Sequence, residues 1–432
     1  MLSAFVLCSC QTRDEVHLNV VAPGHFHAAL LQKNMILGVS LEVNVYAPQG
    51  EELDSYLRSI DQYNTRKDNP TRWVEKLHSG PDFLGQMPQA ESHGSVVVLA
   101  GNNRDKTEYI KAAIDKGYSV LSDKPLAINS EDYDLLKESF REAKARGVVI
   151  YDLMTERYDI LNQVVRTALN CPYFGGLAVD DGDLRVSMKS THHFYKEVSG
   201  VPLTRPQWYY DVRCQGEGIA DVTTHLIDLV FWQCFPSQSI YTSNVTMESA
   251  SHYPTWISRE QYGKSTGAQD FPEYLKDIEK DGSIPVYSNG HMAFSVRGVP
   301  VDMEVVWNWM PQSGSGDTFE AVYASPKTRI IVRQDASTGF SKEIFLENAD
   351  EGLLNGLQKA HDGLAYERFG NGTVHVVIPS DKRVGHEDHF NCVARSFLEY
   401  VSDPAKLPEW ENINTLTKYY ITTQAVGMAF RD

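Results

Sequence analysis

Three side chains in this sequence have the types and spacing to move a proton and stabilise an oxyanion. Lys124 lies in "SDKPLAI", between Asp123 and Pro125, where a buried apolar run ends. Asp221 and His225 lie in "GEGIADVTTHLIDLVFW". They are i and i+4, so on a helix they share one face, with Leu226, Leu229 and Val230 supplying an apolar face. A carboxylate one turn from a histidine can set its orientation and basicity. Pro125 fixes the chain after the lysine and ends any strand ladder. Each feature also has a plainer reading: a surface lysine in a loop, and a solvated Asp–His pair.

Which reading holds depends on the elements around them. "HLNVVAP", "HAALLQKNMIL" and "LEVNVYAP" read as strand, helix and strand, with Gly38 ending the helix. Gln49 to about Gly94 is polar and predicts loops and short helices. "SVVVLAG", "KTEYIKAAIDKG" and "YSVLSD" resume the rhythm. Asn129 or Ser130 caps "EDYDLLKESFREAKARG", which stops at Gly147 before the strand "VVIYDLM". This alternation predicts a parallel α/β sheet over residues 15–155. The carboxyl ends of such strands line a ligand crevice, which is where Lys124 would sit.

From about Thr155 the pattern changes. "DLRVSMKS", "GHMAFSVRG", "VDMEVVWNWM", "TRIIVRQ" and "VHVVIPS" suit a large, open, mostly antiparallel sheet, giving an α+β domain over 156–432. Residues 254 to 287 read as an inserted loop region with a short helix, and two helices near 387–402 and 413–429 close the chain.

A dinucleotide-binding half carries G-x-G-x-x-G after its first strand. In "VAPGHFHAA" the corresponding positions hold Ala22, Gly24 and His27, with His25 and Phe26 between. Only the middle glycine is kept. The second strand ends without the acid that usually holds the ribose, and no arginine replaces it, so Gln49 or backbone groups must hold the adenosine end. His25 and His27, with no third candidate nearby in sequence, read as loop residues. His386 and His389 have H-x-x-H spacing that could bind metal, or they begin a helix where Glu387 and Asp388 suit the dipole. No metal is expected.

The net charge of −17 argues against nucleic acid and anionic membrane surfaces as partners. "MLSAFVLCSC" is too short to span a bilayer and lacks a basic leader. Leu7 to Cys10 resembles a lipobox, which predicts cleavage, acylation of the final cysteine Cys10, residues 1–14 serving as signal and linker, and a lipid-anchored protein of the periplasm or cell envelope. The remaining cysteines, Cys171, Cys214, Cys234 and Cys392, form no C-x-x-C pair.

"SDKPLAI" resembles the E-K-P signature of the Gfo/Idh/MocA (glucose-fructose oxidoreductase and inositol dehydrogenase) family. "GEGIADVTTHLIDLVFW" resembles its G-x-x-x-D-x-x-x-H-x-x-D motif at Gly216, Asp221, His225 and Asp228. "MTERYD" resembles its N-R-R-F element at Arg157, "VVVLAGNN" its ATPN strand end at Asn103, and "RPQWYYD" a tryptophan segment before the second motif. The resemblance runs from Val20 to Trp232. It implies a Rossmann domain, NAD or NADP as cofactor, and a homo-oligomer. Ala22, Gly24, His25, Phe26, His27, Gln49, Asn103, Lys124 and Arg157 would then line the cofactor site.

The reaction implied is hydride exchange between nicotinamide and a carbinol carbon of a sugar, glycoside or cyclitol. His225 is the expected base, Lys124 the alkoxide-stabilising cation and Asp221 the carboxylate orienting the histidine. His192 and His193 could bind substrate hydroxyls. Trp208 and Tyr210, in a set with Tyr209, could stack on a sugar ring or pack in the core. Two other outcomes keep the same architecture: net glycoside hydrolysis through transient oxidation, and a sugar-binding lipoprotein that has lost its cofactor.

Overall fold

A computed structural model describes residues 15–177, 185–198 and 201–430. The lipobox expectation falls on residues 1–14, outside them. The first domain alternates as expected: β1 (His17–Val21), α1 (His27–Leu30), β2 (Glu42–Ala47), α2 (Glu51–Thr65), β3 (Val74–Ser79), β4 (Ser95–Leu99), α3 (Lys106–Asp115), β5 (Ser119–Ser122), α4 (Ser130–Arg146) and β6 (Ile150–Asp152). The six strands are parallel in the order β3-β2-β1-β4-β5-β6, the doubly wound order of a dinucleotide-binding sheet. Asn129 caps α4 by accepting from the Asp132 amide, and Gly147 ends it at φ +70°.

The helix predicted up to Gly38 is a single turn. Its continuation is captured by tertiary bonds. The indole of Trp73 donates to the Gln32 carbonyl at 2.6 Å, and Arg66 donates to the Lys33 carbonyl at 2.5 Å. These bonds hold Gln32 and Lys33 in a turn that draws the segment toward α2 and β3. The stretch read as loops and short helices holds one long helix, the 15-residue α2, and the strand β3, which was not expected.

The second domain follows with α5 (Ile160–Leu169), β7 (Val186–His193), the short pair β8 (Glu197–Val198) and β9 (Val201–Pro202), α6 (Val212–Gln215), α7 (Gly218–Asp221) and α8 (Thr223–Cys234). It continues through β10 (Val245–Ser258), α9 (Arg259–Thr266), β11 (Ser283–Val296), β12 (Val299–Asn308), β13 (Thr318–Ala324), β14 (Arg329–Gln334), β15 (Glu343–Glu347), α10 (Glu351–Ala360), β16 (Ala365–Arg368) and β17 (Thr373–Val377). Two long helices, α11 (His386–Ser402) and α12 (Glu409–Ala429), end it. Nine strands form one sheet in the order β10-β11-β12-β7-β13-β14-β15-β17-β16, antiparallel throughout except at β12–β7. Residues 254–287, read as an inserted loop region with a short helix, hold that helix as α9 and a loop after it, between the end of β10 and the start of β11.

The two domains interleave at the C-terminus. Phe390, Val393, Ala394, Phe397 and Val401 of α11 join the apolar cluster on one face of the parallel sheet, with Leu18, Val45, Val98 and Tyr151. Tyr419 of α12 enters the cluster on the other face. A boundary at Thr155 therefore separates the strands but not the cores.

Two glycines seat α7 on the large sheet. A Cβ on Gly218 would lie 1.8 Å from the Ser288 carbonyl oxygen, and one on Gly290 would lie 2.1 Å from Ile219 Cγ2. Backbone thus meets backbone where α7 crosses β11. Gly218→Ala should destabilise the protein by about 1–3 kcal/mol through overpacking. Urea unfolding checks this, and an unchanged midpoint would mean α7 is not seated as described.

Candidate active site

Lys124 leaves the end of β5 and reaches across to the second domain. Its Nζ donates to Asp221 Oδ1 at 2.5 Å, and Gln215 Nε2 donates to Asp221 Oδ2 at 2.9 Å. The D-K-P loop is held from below. Lys106 Nζ, fully buried, donates to the Asp123 carbonyl at 2.9 Å, and Thr107 Oγ1 donates to the Leu126 carbonyl at 2.7 Å. Burial would lower the Lys124 ammonium, but Asp221, then Asp123, more than reverse this and leave it above the ordinary lysine value. Burial would likewise raise Asp221, and Lys124 holds it below the ordinary range. The pair is therefore a fixed cation with a fixed counter-ion.

His225 starts one turn further along, near the head of α8. Its Nδ1 is buried and has no hydrogen-bond partner. Both oxygens of Asp221 are engaged by Lys124 and Gln215, so Asp221 orients the lysine and not the histidine, contrary to the expectation from their spacing. Burial, then Lys124, pushes His225 down to about 4; Glu156, Asp228 and Asp152 act in the opposite sense. The imidazole is neutral at pH 7.

Arg157 was expected at the cofactor and is instead committed to the protein. Its Nε and Nη2 donate to the two oxygens of Asp228 at 2.7 and 2.6 Å, and Nη1 donates to Glu411 at 2.8 Å. Asp228 also meets Lys418 at 3.4 Å, and Lys418 pairs with Asp152 at 2.7 Å. Asn103 fits the expected position better. It is buried and its Nδ2 donates to the Gln215 carbonyl at 2.8 Å, while its Oδ1 has no partner.

The phosphate loop is shaped by backbone contacts. Ala22 has φ +44°, and the Gly24 and His25 amides both donate to the Ala100 carbonyl, at 2.9 and 3.1 Å. A Cβ on Gly24 would sit 3.2 Å from Gly101 Cα. Gly24 therefore serves the packing of two loops as well as any ligand. The two histidines do have a third neighbour: His25 Nδ1 and His27 Nδ1 each lie 3.0 Å from Asp123 Oδ2. His27 Nε2 lies 2.9 Å from His386 Nε2 at the head of α11. Only the fold could reveal this, because Asp123 and His386 are 96 and 359 residues away from His27.

Residues 174–430 match the family described as "Putative oxidoreductase C terminal domain". A "putative oxidoreductase" from Parabacteroides merdae ATCC 43184 is 41% identical, with a TM-score of 0.92 over 97% of this chain and 98% of that one. The chain belongs to the Gfo/Idh/MocA-type oxidoreductases. More distant solved structures share the fold. Biliverdin reductase from Synechocystis sp. PCC 6803, solved with biliverdin and NADP+, is 10% identical with a TM-score of 0.59 over 96% of this chain and 99% of that one. KijD10, a 3-ketoreductase from Actinomadura kijaniata solved with NADP and TDP-benzene, is 12% identical with a TM-score of 0.56 over 96% and 98%. No curated protein matches the chain. The Rossmann domain and mostly antiparallel second domain expected of a Gfo/Idh/MocA protein are both present, and the family uses NAD(P).

Around this family core, the aromatic candidates are redistributed. A hollow beside Asp221 and Gln215 is walled by Phe194, Tyr209 and Trp307. Tyr210 is fully buried and bonds Ser265, so it belongs to the core. Trp208 does not line the hollow. Tyr209, already in the quoted aromatic set, and Trp307, in the strand "VDMEVVWNWM", take that place. His192 stacks on Trp307 with centroids 4.9 Å apart. His193 pairs with Asp317 at 2.9 Å and borders a second, larger hollow of about 450 Å³ with Asn308, Met310 and Phe340. The larger space is not lined by Lys124, Asp221 or His225, so volume alone misplaces the chemistry. Gln49 is exposed after β2; the nearest acids are Glu51 and Glu52 in the first turn of α2. Glu52 Cγ would lie 3.6 Å from a Cβ on Gly24.

Two outcomes test this electrostatic arrangement. Removing one member of a buried, hydrogen-bonded ion pair leaves an uncompensated charge, so Arg157→Met should cost about 3–5 kcal/mol in denaturant unfolding. The His225 effect depends on pH. The unfolded imidazole protonates near its ordinary value of 6.5, and the folded one only near about 4. Its contribution to stability is thus complete above 6.5 and is lost as pH falls toward 4. Unfolding free energies measured across that interval should decline less steeply in His225→Gln than in the parent. Parallel curves would contradict the assigned environment.

Proposed function

We propose that this protein is an NAD(P)-dependent oxidoreductase acting on a hydroxyl or carbonyl carbon of a sugar, glycoside or cyclitol. The observation that carries this reading is the Lys124–Asp221 pair, which joins the carboxyl edge of the parallel sheet to the second domain with the neutral His225 one turn away. The KijD10 neighbour, a 3-ketoreductase by name, supports the same direction.

The residues at that edge fit a dinucleotide. Gly24 and Gly101 bring two loops together without side chains between them, and the buried Asn103 Oδ1 is an acceptor awaiting a donor. Gly24, His25, Phe26 and His27 would border the phosphates, Asn103 and Lys124 the nicotinamide end, and Gln49 and Glu52 the adenosine end. When bound, the nicotinamide accepts or gives the hydride. Lys124 then stabilises negative charge developing on the substrate oxygen, from a site where water is scarce and the charge is already oriented by Asp221. His225 takes the hydroxyl proton at an imidazole nitrogen in oxidation and returns it in reduction. Tyr209 and Trp307 offer apolar faces to a sugar ring.

Single-turnover hydride transfer on a panel of glucosides and inositols tests the reading. His225→Ala and Lys124→Ala should each lower the rate by roughly two to four orders of magnitude, the usual worth of proton-transfer catalysis. Dinucleotide binding should survive His225→Ala. Near-parental rates in both variants would remove the assignment. Native mass spectrometry of the purified protein should detect bound dinucleotide, and its absence even after addition would favour a sugar-binding protein without a cofactor.

Glu52 beside Gly24 favours a free ribose over a phosphorylated one by charge repulsion. NAD should therefore bind more tightly than NADP, and Glu52→Gln should narrow the gap; isothermal titration with both nucleotides measures it. Export with a lipid anchor at Cys10 is also proposed, on the apolar run before that cysteine. Labelled fatty acid should be incorporated at Cys10 in cells, and unlabelled protein confined to the cytoplasm would remove that proposal.

A further inference from the structure

Beside the phosphate loop, four histidines and a carboxylate converge from opposite ends of the chain. The Nδ1 atoms of His25 and His27 both point at Asp123 Oδ2, each 3.0 Å away, and ligand atoms of the three residues lie within 4.8 Å of one another. Behind them, His386 Nε2 meets His27 Nε2 at 2.9 Å. His389, one turn along α11, is buried with its Nε2 unpartnered. Asp123 is 5% exposed, and its second oxygen, Oδ1, also has no partner. Hydrogen bonding alone leaves this group poorly satisfied. A carboxylate offers about four lone-pair positions, and a buried oxygen that fills none of its own is costly.

We propose that His25, His27 and Asp123 form a site for a divalent transition-metal ion of the zinc class. Imidazole and carboxylate donors suit such ions. Bonds of about 2.0–2.2 Å at angles between 90° and 110° separate neighbouring donor atoms by roughly 3.0–3.4 Å, and each histidine nitrogen lies 3.0 Å from Asp123 Oδ2, with all three donors within 4.8 Å. Ligation through His27 Nδ1 leaves the proton on Nε2, and that N–H then donates to His386. A ligating histidine characteristically makes such a bond with its other nitrogen. The site is open on one side: the His25 side chain is 40% exposed, while His27 and Asp123 are buried. Three protein ligands leave a position for water or for an anionic oxygen.

The location gives the ion a use. A dinucleotide-binding loop ordinarily attracts phosphate with the N-terminus of a long helix. Here α1 has four residues and the third glycine of the motif is His27. A cation at His25, His27 and Asp123 would supply the positive charge that so short a helix lacks. The metal site itself does not depend on the reaction proposed above, and it is read out on the resting protein.

The test is cobalt(II) titration of chelator-stripped, full-chain protein followed by visible absorption, with zinc(II) content by elemental analysis. The expected result is one equivalent per chain, with the d–d bands of a nitrogen-and-oxygen site. His25→Gln, at the partly exposed ligand and so the variant least disturbing to folding, should weaken binding at least tenfold. His386→Gln should weaken it by roughly ten- to a hundredfold, as loss of a ligand's supporting bond does. His375→Gln, at a histidine between Glu343 and Glu367 on the large sheet, should change nothing. Parental protein that takes up well under one equivalent, or uptake that His25→Gln leaves unaltered, would overturn the assignment.

Discussion

A buried chain of alternating charge holds the two domains in register. Asp152, at the end of β6, pairs with Lys418 of α12; Lys418 reaches Asp228 of α8; Asp228 grips Arg157, whose remaining arm is held by Glu411. Tyr419 closes the end by donating to Asp152 at 2.7 Å. Burial tends to neutralise Asp228, but Arg157 and Lys418 overcome this and hold it down at about 2. Charges out of water tolerate little displacement, because separation restores the cost of desolvation without the attraction that offsets it. The consequence lies one turn away. Asp221 and His225 flank the joint between α7 and α8, and their reach toward Lys124 depends on where α8 is pinned.

The arrangement of Lys124, Asp221 and His225 follows from that constraint and from one substitution of partner. Spacing of i and i+4 suggests that an aspartate serves a histidine. In the folded chain Asp221 serves Lys124, because the lysine arrives from another domain with a full charge, and a carboxylate gains more from an ammonium than from a neutral imidazole. His225 is left neutral, with an unpartnered nitrogen, in an electrostatic setting dominated by burial and by the lysine. The proposed cation and base are thereby kept in different protonation states, as acid–base chemistry near neutral pH requires.

Much of this was legible in sequence, and the limits have physical causes. Strands such as "SVVVLAG" declare themselves because both faces of a parallel sheet are buried. Asn129 and Gly147 mark α4 by local bonds and a left-handed turn, which need no tertiary information. The D-K-P and D-x-x-x-H segments could be singled out because their types and spacing are chemical. The early end of α1 was not legible, since the groups holding the turn, Trp73 and Arg66, come from beyond α1 and β2. β10 was missed because its residues are largely exposed and do not alternate cleanly. Arg157 was placed at the cofactor by the resemblance of its segment, and Tyr210 was left between sugar stacking and the core; the fold surrounds the first with carboxylates and gives the second to the core. The meeting of His25 and His27 with Asp123 and His386 is a product of topology alone.

The placement of α11 has a consequence for how the chain is made. A ribosome that has delivered residues through Asp152 has supplied all six parallel strands, yet one face of their sheet still lacks the helix that carries Phe390, Phe397 and Val401. That face is apolar, and α1 with Leu53, Tyr56 and Ile60 of α2 covers only part of it. The N-terminal third must wait, with part of that face uncovered, while some 230 further residues are synthesised, on the order of ten to fifty seconds at ordinary elongation rates. Such a surface invites a holding chaperone or premature contact with another chain. The first domain to emerge is thus completed late, and its folding is tied to arrival of the end of the sequence.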